Sequence, residues 1–173
     1  MKKNQLVFDK MNVKAFAPII GNLPNILILG TIPGKESLRR NEYYAHPRNI
    51  FWRLLYSLFD TRPNTDYISK TYFIKQKQIC IWDVCFAGFR ISSLDKDIKK
   101  EIPNDINQFV KSNPTICIIA FNGKKAEKLY DKYFNRLNHI TYLSLLSTSP
   151  TNASYTFDEK FKNWKEIILS RTK

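Results

Sequence analysis

Asn25-Ile26-Leu27-Ile28-Leu29-Gly30, followed by Thr31-Ile32-Pro33-Gly34, decides the fold. The run is continuously apolar, as a strand covered on both faces requires, and its end in a glycine and a Pro-Gly turn places a loop at its carboxyl end. Three further short apolar runs lie at Ile79 to Val84, Thr115 to Phe121 and Ile140 to Leu146. They alternate with helical candidates at Asp66 to Gln76, Pro103 to Lys111, Lys124 to Phe134 and Phe157 to Ser170. Asn49 to Phe59 carries Phe51, Leu54, Leu55 and Leu58 at helical spacing, behind a Pro47 suited to a first helical turn. Such alternation predicts an α/β fold with a mainly parallel sheet, and in such sheets sites lie beyond the carboxyl ends of the strands. The loops after Leu29, Trp82, Phe121 and Leu146 are therefore the ones to read for chemistry.

The chain has 173 residues, 43% of them hydrophobic, with no internal repeat, low-complexity tract or linker, so a single domain over 1–173 is expected. A chain of this length buries roughly two thirds of its unfolded surface without disulfides or metal. Cys80, Cys85 and Cys117 are odd in number, widely spaced and set in apolar runs, and they read as small buried hydrophobes. With only His46 and His139 to supplement them, neither a metal nor another cofactor is expected. The stretch from Met1 to Lys10 lacks the apolar core of a secretory signal, and no segment approaches the roughly 18 apolar residues of a membrane span. A soluble, cytoplasmic monomer with no membrane association and no obligate protein partner is expected. The 28 Lys and Arg against 15 Asp and Glu leave a net charge of +13, which favours a polyanionic partner, nucleic acid before an anionic membrane surface.

Two segments carry more than punctuation. Gly30-Thr31-Ile32-Pro33-Gly34-Lys35-Glu36 superficially resembles a phosphate loop, but it has three residues between its glycines and Glu36 after the lysine. That motif needs four residues there and a Ser or Thr after the Lys, so nucleotide hydrolysis is set aside. Tyr43-Tyr44-Ala45-His46-Pro47-Arg48-Asn49-Ile50-Phe51-Trp52 is denser in aromatic and polar groups than helix initiation requires. Capping by His46 or Asn49 would leave Tyr43, Tyr44 and Arg48 unexplained.

These segments, with Ala15-Phe16-Ala17-Pro18-Ile19-Ile20, Ile81-Trp82-Asp83-Val84, Glu101 to Ile106, Ala120 to Ala126 and Ser147 to Ala153, resemble the hypoxanthine (deoxyinosine) DNA glycosylases of the uracil-DNA glycosylase superfamily. The similarity covers nearly the whole chain. It implies a three-layer α/β/α fold with a short, mainly parallel central sheet, and a DNA-binding cleft between the first motif loop and the Ser147-Thr148-Ser149-Pro150 loop. It also implies a monofunctional enzyme that flips a deaminated base, hypoxanthine first, out of DNA and hydrolyses its N-glycosidic bond in base excision repair. By the same resemblance Asn49 is the catalytic residue, Tyr44 stacks on the flipped base, and Pro150 and Thr151 stand where relatives carry a wedge. Mismatch-specific uracil and thymine glycosylases share the HisPro-x-Asn-x-PheTrp pattern but carry an Asn where this chain has Ile32.

The chemistry assigns further roles. Excision passes through an oxocarbenium-like sugar and a departing base that gains negative charge, which backbone amides at Thr31 and Ile32 are placed to stabilise. With Pro33 and His46 they form the candidate substrate-binding set. Asp83 reads the Watson–Crick edge, or donates a hydrogen bond to a purine if desolvation keeps it protonated, or else caps a helix or satisfies its own loop, and Asn122 either contacts base or phosphate or forms an Asn-Gly turn. Arg48 and the hydroxyls and amides of Ser147, Thr148, Ser149 and Thr151 are candidate phosphate contacts. No lysine is singled out for a Schiff base, so no strand-cleaving step is expected. Two alternatives stay open: a uracil or mismatch-specific glycosylase, and a catalytically silent nucleic-acid-binding module on the same fold.

Overall fold

The computed structural model describes residues 13–90 and 98–169. The stretch read for a secretory signal and Ser170 of the last predicted helix lie outside them. Four strands, β2 (Ile26–Gly30), β3 (Ile79–Asp83), β6 (Ile118–Asn122) and β7 (Thr141–Leu145), form one sheet in the order β3-β2-β6-β7. All three pairings are parallel. The chain runs from β2 to β3 on one side and reaches β6 on the other, so the strand order reverses beside β2. That reversal opens a crevice at the carboxyl ends.

The continuous apolar runs exist because both faces of the sheet are covered. Ile26, Ile28, Ile79, Ile81, Ile118, Ala120 and Leu145 pack on one face with Phe51, Leu54 and Leu55 of helix α2 (Phe51–Leu58), which follows the short α1 (Lys35–Arg40), and with Phe73 and Ile74 of α3 (Tyr67–Gln76), Trp164 of α6 (Phe157–Trp164) and Ile167 of α7 (Glu166–Leu169). Leu27, Leu29, Cys80, Ile119 and Phe121 pack on the other with Ile106 and Val110 of α4 (Ile106–Ser112) and Ala126, Leu129 and Tyr130 of α5 (Lys124–Tyr133). Alternate residues of each strand thus feed opposite cores, giving the predicted three layers. Every residue of β2 is buried, and each Ile or Leu removed from water there contributes about 1.5–3 kcal/mol.

Several local readings change. Pro47 is not in a first helical turn: residues 46–49 make a turn closed by Asn49 N–H donating to His46 O at 2.8 Å, and α2 starts only at Phe51. The helix read from Pro103 starts at Ile106, because Asp105 caps it by accepting from Gln108 N at 3.1 Å. Pro103 instead ends strand β5 (Ile98–Pro103), which pairs antiparallel with β4 (Cys85–Arg90), itself paired with β1 (Val13–Lys14). This second, three-stranded sheet was not legible in the apolar runs. Cys80 and Cys85 are buried, and burial pushes the Cys80 thiol up to about 11. Cys117, one residue before β6 begins, is exposed and so is not the buried hydrophobe expected. Among the described residues, no helix is long and apolar enough to cross a membrane.

Gly123, which joins β6 to α5, has φ 98° and ψ 152°, a conformation essentially confined to glycine. A Cβ there would lie 2.8 Å from Cβ of Ser147. Gly123→Ala should therefore lower the unfolding free energy by about 1–3 kcal/mol in a urea titration; a loss below about 0.5 kcal/mol would show that the Ser147 loop yields freely.

Candidate active site

The carboxyl ends of the strands surround a cavity of about 330 Å³. Thr31, Ile32 and Pro33 follow β2, Asp83 ends β3, Asn122 ends β6, and Ser147 to Thr151 follow β7. Tyr44, His46, Arg48 and Asn49 come from the turn before α2. The structure thus brings every residue singled out for a site in the sequence to the wall of one cavity, across more than a hundred positions of chain.

The aromatic pair divides its work. Tyr43 is buried: its hydroxyl donates to Ala17 O at 3.2 Å and lies 3.4 Å from Phe16 O. Its N–H donates to the Tyr67 hydroxyl at 2.9 Å, and its carbonyl accepts from Trp52 Nε1 at 3.0 Å. Burial, then the nearby charge of Asp83, pushes the Tyr43 phenol well above its ordinary range, so it stays a neutral donor. Held by this frame, Tyr44 adopts φ 56° and stacks one ring face on Phe51, with centroids 3.7 Å apart and planes at 18°. Its ring is half-buried at the cavity wall.

In the turn that follows, Asn49 Oδ1 accepts from Phe51 N at 3.0 Å, which fixes the amide at the start of α2. His46 Nδ1 accepts from Arg48 N at 3.1 Å, so in the neutral ring the proton sits on Nε2. Arg48 is exposed at the rim.

Across the cavity, Asp83 is 4% exposed. Its carbonyl accepts from Asn104 Nδ2 at 2.7 Å, and Asn104 N donates to Val84 O at 2.8 Å. Val84 N and Cys85 N donate to Gly30 O and Thr31 O, each at 2.9 Å, which ties the start of the Thr31 loop to the end of β3. Gly30 is required by what surrounds it. A Cβ there would meet Asp83 Oδ1 at 2.5 Å and the Tyr44 hydroxyl at 3.1 Å.

Asn122 lines the cavity and is held there by the loop after β7. Its Nδ2 donates to Thr148 Oγ1 and its Oδ1 accepts from Thr148 N, both at 2.9 Å, so its amide is engaged edge to edge by the loop. That loop is further organised by Ser149 N donating to Ser147 Oγ (3.2 Å), the Ser149 and Thr151 hydroxyls 2.8 Å apart, and Asn152 Nδ2 donating to Ser147 O (3.1 Å).

Helix α6 supplies anchors that the sequence reading missed. Lys160 Nζ donates to Asn152 O at 2.7 Å, Leu146 N donates to Asn163 Oδ1 at 2.7 Å, and Trp164 Nε1 donates to Leu146 O at 2.8 Å. Lys160 is 5% exposed, and burial lowers its ammonium below the usual lysine range. The available signal was their i, i+3, i+4 spacing, which puts all three on one helix face. Asn104, the other missed residue, lies inside the Glu101 to Ile106 segment already noted. Among the described residues, no group of three His, Cys, Asp or Glu side chains is placed to hold a metal ion.

Removing the Asn122 amide strands the N–H of Thr148, which is only 1% exposed. Asn122→Ala should cost about 1–3 kcal/mol of stability and speed amide exchange at residues 147–151, followed by hydrogen-exchange mass spectrometry. Unchanged exchange there would show that the helix α6 anchors alone hold the loop.

Residues 18–171 match the family model of the uracil DNA glycosylase superfamily. The chain is 36% identical over 159 residues to a protein of Methanosarcina barkeri named hypoxanthine DNA glycosylase, covering 91% of this chain and 99% of that one. It is 31% identical over 156 residues to a protein of the same name from Methanosarcina acetivorans, covering 90% and 97%. Its fold is similar to the solution NMR structure of a candidate uracil DNA glycosylase from Methanosarcina acetivorans, with a TM-score of 0.73 and 30% identity over 90% of this chain and 98% of that one. The strand-end cavity and the loops that wall it are therefore those of a member of the uracil DNA glycosylase superfamily, to which this chain belongs.

Proposed function

We propose that the chain is a monofunctional DNA glycosylase, acting as one domain, that extrudes a deaminated base, hypoxanthine first, into the strand-end cavity and hydrolyses its N-glycosidic bond. The observation that carries this reading is the meeting of the Thr31, Tyr44–Asn49 and Ser147–Thr151 segments around one cavity. At about 330 Å³ it is of small-ligand size. The relatives named hypoxanthine DNA glycosylase support the choice of base.

A stacked base hides its sugar carbon, so the nucleotide must first leave the duplex at a cost of a few kcal/mol, least for a damaged or mismatched pair. The net charge of +13 draws the protein to the backbone, Arg48 at the rim contacts phosphate, and the Ser147–Thr151 loop pinches the strand with hydroxyls and amides. Pro150 and Thr151 are small for a wedge, so pinching and the weakened pair carry most of the extrusion. Tyr44, with Phe51 behind one ring face, offers the other to the flipped base. Asn49 orients the attacking water: its Oδ1 is already fixed by Phe51 N–H and keeps a second lone pair, and its Nδ2 donates. The Thr31 and Ile32 amides, with His46 Nε2–H, face the negative charge that builds on the departing base, and Pro33 closes the wall beside them. Hydrolysis by an oriented water calls for no cofactor. The reading is of a monomer working in the cytoplasm on the nucleoid.

The test is single-turnover incubation of wild type and Asn49→Ala with labelled duplexes carrying one hypoxanthine, uracil or xanthine, followed by alkali at abasic sites. Hypoxanthine release should fall at least about 100-fold in the variant, with duplex affinity within about 3-fold of wild type. Release led by uracil would reassign the specificity, and no release by wild type would make the chain a binding module.

A further inference from the structure

We infer that Arg53, laid on the ring of Phe157 where α2 meets α6, is a fixed contact for a DNA phosphate beside the cavity mouth, beyond those met by Arg48 and the Ser147–Thr151 loop. The inference rests on the glycosylase reading above and adds where the strand runs once it leaves the rim. The first argument is which cations are free to meet a polyanion. Arg39 faces Glu36, Lys132 Nζ lies 2.8 Å from Glu101, and Arg136 bridges Glu127 at 2.7 Å and Asp131 at 2.9 Å. An incoming phosphate must compete with those carboxylates. Lys160 is buried behind the loop, donating to Asn152 O. Arg53 is exposed and, among the described residues, forms no ion pair. The two acids that follow Phe157 leave it so. Glu159 is taken by Thr156, whose N–H and hydroxyl donate to it at 2.7 and 2.9 Å, and Asp158 forms no ion pair among the described residues.

The second argument is position. Ile50 N donates to Thr148 O at 3.3 Å, so α2 starts against the loop, and Arg53 follows Asn49 by four residues. Phe157 opens α6, six residues after Thr151 of the cavity wall. Two segments leaving the wall thus converge on the Arg53–Phe157 pair. Arg136, by contrast, stands before the start of β7, at the opposite, amino-terminal end of the sheet.

The third argument is geometry. Arg53 Cζ lies 4.1 Å from the centroid of the Phe157 ring. Phe157 is itself a fixed platform: it packs against the core under α2 and lies nearly parallel to Phe161, with centroids 6.2 Å apart and planes at 17°. A guanidinium held against a ring face keeps its N–H donors in its own plane, where they form the planar fork that grips two phosphate oxygens at once. The cation–π contact also orders a long side chain before DNA arrives, so less freedom is lost on binding. A lysine in the same place would bring the charge without the plane.

The test is the salt dependence of binding to a labelled, undamaged duplex, followed by fluorescence anisotropy between about 50 and 200 mM KCl. Arg53→Ala should reduce the slope of log affinity against log salt by about 0.9, the value of one phosphate contact, and weaken binding about 10-fold. Phe157→Leu, which keeps the charge and removes the ring, should leave the slope as in wild type and weaken binding about 3-fold. Arg136→Ala should change neither. A full slope in Arg53→Ala overturns the inference, as does an equal reduction in Arg136→Ala, which would make the effect one of total charge. Wild-type affinity in Phe157→Leu overturns it too, because the ring would then fix nothing. The readout needs no excision: loss of the Arg53 contribution alone leaves the glycosylase reading standing, whereas a wild type that shows this contribution and releases no base overturns that reading and leaves the phosphate contact.

Discussion

Strand β2 has no free edge and no free face. It is paired in parallel with β3 on one side and β6 on the other, and all five of its residues are buried between two helical layers. Chemistry on this sheet is therefore confined to the ends of the strands. The amino-terminal end of β2 is closed by Asn25, whose carbonyl accepts from Cys117 N and Ile118 N at 3.1 Å each. The carboxyl end stays open because Gly30 contributes no side chain, and whatever projects from the neighbouring strands and loops meets above it.

What meets there is held by a few polar contacts rather than by apolar packing. Thr148 is the node: its side chain and N–H bind the Asn122 amide, and its carbonyl accepts from Ile50 N at 3.3 Å. The end of β6, the loop after β7 and the start of α2 are thus fixed relative to one another through one residue that is 1% exposed. Helix α6 holds the same loop from behind through Lys160, Asn163 and Trp164. Buried polar groups carry a desolvation cost that only satisfied partners offset. A loop built this way has a defined conformation before any ligand arrives, which is how binding costs are kept low.

The parallel sheet was legible because a strand covered on both faces must be apolar throughout, and Ile26–Leu29 could hardly be anything else. The second sheet was not, because its strands do not need such runs: Ile98–Pro103 reads Ile-Lys-Lys-Glu-Ile-Pro, and β4 shifts register against it between Cys85 and Ala87 and again between Ala87 and Phe89. Membership of the cavity wall was legible through the strand-end rule and the family pattern. The division of labour inside it was not. That Tyr43 is buried as a support while Tyr44 stays half-buried at the wall, or that Asn122 binds Thr148, depends on which way side chains turn from adjacent or distant backbone. The start of α2 was misplaced for the same reason. Pro47 fits a first helical turn, but the Asn49 carboxamide bonded to Phe51 N sets the start later.

Tyr44 shows what the surrounding frame achieves. A left-handed conformation at a residue that is neither Gly nor Asn costs about 1–2 kcal/mol, and it persists only where neighbours over-determine it. Here the residue before it is fixed through its amide by Tyr67, through its carbonyl by Trp52 and through its hydroxyl by Ala17, while the Tyr44 ring is stacked on Phe51. An unstrained Tyr44 would have a different backbone direction and would not bring its hydroxyl to within 3.1 Å of a Cβ position on Gly30. The strain is thus the local cost of placing an aromatic plane and an acidic side chain together over a glycine. It is borne in the folded protein, so ordering that corner adds nothing to the barrier when a base arrives.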